Sequence, residues 1–152
     1  MINLMTLRLL TVVVVALVCA ATAFAQALPP THLVINGKDG TVPITINVEL
    51  GKPVTLDASA SKDPDGNKLS YNWFHYEEAG FVPRANLAGV KIEQANTAKA
   101  TVTATTACRP GWRPMNRACP TGVAHIILAA TDNGSPALTS YRRVILNVSS
   151  AK

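Results

Sequence analysis

The sequence predicts an all-β sandwich of about seven to eight short strands, preceded by a cleaved signal peptide. Three observations carry this expectation. Short β-branched runs recur along the chain, broken by Gly, Pro, Asn and Asp at intervals typical of sandwiches. Several of these runs alternate with a period of two, the mark of strands with one buried face. No helical periodicity of useful length follows the N-terminal apolar segment.

That segment reads as a targeting signal. Arg8 is its one basic residue, Leu9 to Ala20 is almost wholly apolar, and Ala23-Phe24-Ala25 supplies the small residues that precede cleavage. The apolar run falls short of the roughly 20 residues that a spanning helix needs, so no membrane association is expected after cleavage. Val18, not a small residue, stands before Cys19, which argues against lipidation. The expected location is secreted, periplasmic or extracellular. Cleavage after Ala25 leaves 127 residues, enough for one domain with its own core, and takes the formal charge from +5 to +4.

Cysteine usage fits that compartment. Cys19 leaves with the signal, and the remaining pair, Cys108 and Cys119, is expected to form a disulfide. A zinc site needs further ligands at metal spacing, whereas His32, His75 and His125 are scattered. The local basic cluster Arg109, Arg113 and Arg117 lies inside the cysteine loop and reads as a solvated loop first, an anion or partner contact second. Charge so thinly spread does not point to nucleic acid.

The elements follow in order. Gln26–Thr31, with Pro29-Pro30, reads as an extended, mobile linker. His32–Asn36 and Pro43–Glu49 are expected strands, separated by Gly37-Lys38-Asp39-Gly40. Pro53–Ala58 follows the Gly51-Lys52 turn. Lys68–Glu77 is a long aromatic strand after the turn residues 62–67. Gly89–Glu93 and Lys99–Thr105 are shorter, and Val123–Thr131 and Leu138–Val148 close the fold around the turn residues 132–136. The expected organisation is signal peptide 1–25, linker and first strand 26–41, and sandwich 42–150.

Alternation assigns the faces. Leu69, Tyr71 and Trp73 share one side of their strand, opposite Ser70, Asn72, Phe74 and Tyr76. Ala124, Ile126, Leu128 and Ala130 are in phase, opposed by His125, Ile127 and Ala129. Val144, Leu146 and Val148 oppose Tyr141, Arg143 and Ile145. Trp73 stands where an immunoglobulin-like sandwich buries a tryptophan in its central strand, so its expected role is core packing.

The segment Leu56-Asp57-Ala58-Ser59-Ala60-Ser61-Lys62-Asp63-Pro64-Asp65-Gly66-Asn67-Lys68-Leu69-Ser70-Tyr71-Asn72-Trp73 resembles the signature of PKD-type immunoglobulin-like domains. Three further stretches are more specific. Trp73-Phe74-His75-Tyr76-Glu77-Glu78-Ala79-Gly80, His125-Ile126-Ile127-Leu128-Ala129-Ala130-Thr131-Asp132-Asn133-Gly134-Ser135-Pro136-Ala137-Leu138-Thr139 and Tyr141-Arg142-Arg143-Val144-Ile145 are similar to the C-terminal domain of secreted bacterial cellulose-binding proteins. The resemblance covers about residues 42–148 and implies a PKD-like antiparallel sandwich with a carbohydrate-binding role. In that family the domain follows a larger one resembling nucleoside hydrolases. Here the signal is read as leading directly into the sandwich, so only binding is carried over. The Cys108–Cys119 stretch departs from the family as an insertion.

Candidate chemistry is sparse. Asp63, Asp65 and Asn67 place oxygens at alternate positions, as the first half of a calcium loop does, but a distal glutamate is missing and a plain turn accounts for them. Glu77 and Glu78 are adjacent, hence on opposite faces of a strand, and do not form an acid–base pair. No nucleophile elbow, phosphate loop or metal motif is visible, so no enzyme activity and no cofactor is expected, a structural calcium aside. Trp112, mid-loop between the cysteines, either stacks on a sugar ring or folds back to cap the sandwich. The expected binding residues are Phe74, Tyr76, His125, Tyr141 and Arg143 on one outer face, and Trp112 in the cysteine loop. Their composition is aromatic and apolar where a solvated face carries Lys, Thr, Glu and Ser. The expected partner is a polysaccharide such as cellulose, or alternatively a secreted protein docked by an adaptor domain.

Overall fold

The computed structural model describes residues 27–30, 32–77, 88–106 and 121–150. Among them run seven strands: β1 (Ile44–Glu49), β2 (Pro53–Asp57), β3 (Ser70–His75), β4 (Gly89–Glu93), β5 (Lys99–Thr106), β6 (Thr121–Thr131) and β7 (Thr139–Ser149). They form two sheets, β1-β7-β6-β3 and β2-β5-β4. The expected immunoglobulin-like sandwich is thus the observed one. One pair departs from the antiparallel pattern, because β1 runs parallel to β7, with Ile44 opposite Val144 and Val48 opposite Val148. The parallel pairing follows from a switch of sheets. The Leu50 amide donates to Ser149 O at 2.8 Å and the next amide, Gly51, donates to Ala104 O in the other sheet at 2.9 Å. Gly51 takes φ +78°, a backbone state that a residue with a Cβ rarely adopts, which makes so abrupt a crossing feasible.

The faces fall as alternation predicts. Trp73, Ala124, Ile126, Leu128, Ala130, Val144, Leu146 and Val148 are buried, joined by Leu56, Ala100 and Val102 from the second sheet. Trp73 is 2% exposed, and both of its donors are satisfied. Its indole Nε1 donates to Thr97 O at 2.9 Å. Its amide, on the edge of β3 away from β6, donates to Ala95 O at 2.8 Å. The residue therefore ties the free edge of the first sheet to the β4–β5 turn of the second.

The N-terminal segment differs from expectation. His32–Asn36 is not a strand: it makes only isolated bridges, His32 with Lys62 and Ile35 with Lys38. Asn36 at φ +50° and Gly37 at +74° reverse the chain at once, so the run has no length over which to pair. Nor is the stretch before it an open linker. Pro30 is fully buried, Leu33 and Ile35 are 3% and 0% exposed, and the Leu28 amide donates to Asp65 Oδ2 at 2.8 Å. Arg142 explains the difference. Its side chain is buried, its Nη1 donates to the carbonyls of Leu33 and Lys38, and its Nη2 donates to Asp39 O at 3.1 Å. A guanidinium presents several donors in a fixed fork, so one residue gathers carbonyls from both limbs of the turn.

Candidate functional site

The outer face of the β1-β7-β6-β3 sheet presents its side chains in ordered rows. At one end Thr131 stands opposite Thr139, their hydroxyls 2.7 Å apart. The next row sets Asn72, Ala129 and Tyr141 side by side. The central row is Phe74, Ile127 and Arg143. Beyond it His125 faces Ile145, which faces Thr45, and the Tyr76 amide donates to His125 O at 2.8 Å. The last row is Val123, Asn147 and Asn47, with Asn147 Nδ2 donating to Asn47 Oδ1 at 3.1 Å. An aromatic and apolar band therefore crosses the middle of the face, bounded by hydroxyl and amide pairs.

Exposure follows position in this band. Tyr141 is 64% exposed, Tyr76 38% and Phe74 36%, while His125, Arg143 and Ile145 are half-buried. Ile127 is in the outward phase, as expected, yet only 8% exposed. It sits mid-sheet with Phe74 and Arg143, two long side chains, as its register neighbours. Five of the expected binding residues, Phe74, Tyr76, His125, Tyr141 and Arg143, thus share one face.

The second sheet's outer face is of another kind. Its rows are Pro53, Thr103 and Lys91, then Thr55, Thr101 and Glu93, then Asp57 and Lys99. Lys91 pairs with Glu93 at 2.7 Å and Lys99 with Asp57 at 2.9 Å. Thr, Lys, Glu and Asp are what a solvated sheet face carries.

Electrostatics at the aromatic face are set by desolvation. Burial lowers the His125 pKa below its ordinary value, and the Arg143 cation, together with His75 whenever that ring is protonated, pushes the same way. Burial also lowers that of His75, with the Glu77 carboxylate opposing. Both rings are thereby held neutral at pH values where an exposed histidine begins to charge.

The candidate calcium loop is a turn in this structure. Asp63 Oδ2 accepts from the Asp65 and Asn67 amides at 3.1 and 2.9 Å, and Asp65 Oδ2 accepts from Leu28. No group of three or more His, Cys, Asp or Glu placed to hold a metal occurs among the described residues. The residues Cys108, Trp112 and Cys119, and the expected signal segment 1–25, lie outside the described residues. Arg142 was not singled out from sequence, although its phase with Val144 and Leu146 already placed it on the inward face.

Comparison with known proteins agrees with the fold and with the resemblance carried by Trp73–Gly80 and His125–Ile145. Residues 53–148 match the family described as cellulose-binding protein Sde0182, C-terminal domain. A solved structure from Saccharophagus degradans, a nucleoside hydrolase-related hypothetical protein associated with carbohydrate metabolism, is 36% identical with a TM-score of 0.63. The match covers 80% of this chain and 26% of that one, so the chain spans about a quarter of that protein. The PKD domain of the KIAA 1837 protein is 24% identical, with a TM-score of 0.46, over 74% of this chain and 86% of that domain. Comparison with curated proteins gives no match. The chain belongs to the family of C-terminal domains of the cellulose-binding protein Sde0182.

Proposed function

We propose that this protein is a secreted, non-catalytic module that binds a polysaccharide of the cellulose class through the outer face of the β1-β7-β6-β3 sheet. One observation carries the reading: the two outer faces differ in kind. The second sheet shows paired charges and threonines, whereas the first shows Phe74, Tyr76 and Tyr141 around Ile127, bounded by polar pairs. Apolar area inside a polar border is the anatomy of a recognition surface. Aromatic rings offer a flat apolar area to a sugar ring, and Arg143 and the bordering amides and hydroxyls offer donors to its oxygens. The family's name supplies the ligand class. A Cys108–Cys119 disulfide and a sugar contact by Trp112 are part of this proposal.

Retention on insoluble cellulose at neutral pH tests the reading. The mature protein is expected to be retained without any other protein present. Replacing Phe74 and Tyr76 together by Ser is expected to weaken retention at least about tenfold, a loss of roughly 1.4 kcal/mol. Stability should fall by no more than about 1 kcal/mol, because both side chains are partly solvated. Undiminished retention of the double variant, or its unfolding, contradicts this site. The relative's much greater length favours a second reading, in which the same face docks on a protein. Absence of retention on cellulose, with capture of a single secreted protein that the double variant loses, supports that reading instead.

A further inference from the structure

His75 and His125 occupy neighbouring steps of the β3–β6 ladder, since His75 is in register with Ile126. Alternation places His75 on the core side with Trp73 and His125 on the outer side with Phe74 and Tyr76. Each ring has one buried nitrogen without a hydrogen-bond partner among the described residues, Nε2 in His75 and Nδ1 in His125. In a neutral imidazole one nitrogen carries no proton, so such an atom is tolerable. Protonation makes both nitrogens donors and sets a charged N–H where no acceptor among the described residues is in reach.

The surroundings do not compensate. Arg143 of β7 lies on the same face as His125 and is itself a cation, and Ile145, directly opposite, is apolar. Tyr76 offers a neutral phenol. Among the described residues, Glu77 is the one acid beside His75; its Oε1 is 3.7 Å from His75 Nδ1, and its side chain is 79% exposed. A charge on one ring also opposes a charge on the other.

We propose that His75 and His125 form an acid-sensitive catch in the β3–β6 ladder, closed while both rings are neutral and opened by a proton on either, so that the strand end carrying Phe74 and Tyr76 loosens in acid. The direction follows from linkage. Both pKa values are lowered in the folded state, so the unfolded chain binds more protons as pH falls below about 6.5. Stability is complete above that value and is lost as pH falls from there through the lowered folded values.

Ring titration and amide exchange, both followed by NMR on the mature protein, test the catch. The rings are expected to titrate below the ordinary histidine value. Protection of the Tyr76 amide, which donates to His125 O, should fall about tenfold between roughly pH 7 and pH 5 while that of core amides in β5 holds. His75→Gln with His125→Gln should flatten this dependence. Rings that titrate at or above the ordinary value, or a Tyr76 protection independent of pH, overturn the proposal. Because these readouts need no ligand, they stand apart from retention on cellulose at neutral pH.

Discussion

Trp73→Ala is expected to destabilise the domain by about 3–5 kcal/mol, the range for truncating a buried large aromatic. The side chain is 2% exposed and packs in the core formed by both sheets. Truncation leaves a cavity between them and strands the Thr97 carbonyl that accepts from the indole. A domain of this size has a total stability of about 5–15 kcal/mol, so a large share of the folded population is at risk. Trp73→Phe separates the two contributions: it keeps most of the packing and loses the indole donor, and it should cost clearly less. Urea denaturation monitored by far-UV circular dichroism reads both variants. A Trp73→Ala midpoint equal to that of the parent contradicts the core assignment.

Arg142→Met is the second large effect, about 2–4 kcal/mol. Methionine fills part of the same volume but donates nothing to the carbonyls of Leu33, Lys38 and Asp39. Leaving a buried acceptor without a partner costs about 1–3 kcal/mol, and the carbonyl of buried Leu33 is the one water reaches least. Arg142→Lys keeps the charge but not the planar fork, and should recover only part of the loss. The damage should also be local. Amides of residues 32–40 should lose exchange protection while those of β6 retain it. Uniform loss across the sandwich, or none, contradicts the clamp.

The strands were legible because period-two alternation is a local signal, and in this chain burial follows it closely. Val144, Leu146 and Val148, like Ala124, Ile126 and Leu128, point inward where the pattern places them. The N-terminal segment was not legible in the same way. Its packing depends on a side chain more than a hundred residues away, and no local window contains both Leu33 and Arg142. The parallel pairing of β1 with β7 is likewise a product of the sheet switch at Leu50-Gly51. Shorter-range errors have shorter-range causes. β3 begins at Ser70, two residues later than expected, and the Lys68 amide donates to Asn133 Oδ1 rather than to the ladder.

The candidate site was legible as a phase and less so as a surface. Alternation put Phe74, Tyr76, His125, Tyr141 and Arg143 on one face; register brings Phe74, His125, Tyr141 and Arg143 together there, and the Tyr76 amide bonds to His125 O. It carried no information on depth, so the burial of Ile127 among its long neighbours emerged only from the packed sheet. Nor did it show that the histidine nitrogens lack partners, since that depends on what every adjacent strand leaves unoffered.

The most direct test of the account is an NMR titration of residues 26–152 at neutral pH with a soluble cello-oligosaccharide, following backbone and aromatic resonances. The account predicts that shifts concentrate at Phe74, Tyr76, His125, Tyr141 and Arg143, while Thr55, Thr101 and Thr103 on the opposite face stay still. Shifts centred on the threonine face, or no shifts at saturating oligosaccharide, contradict it.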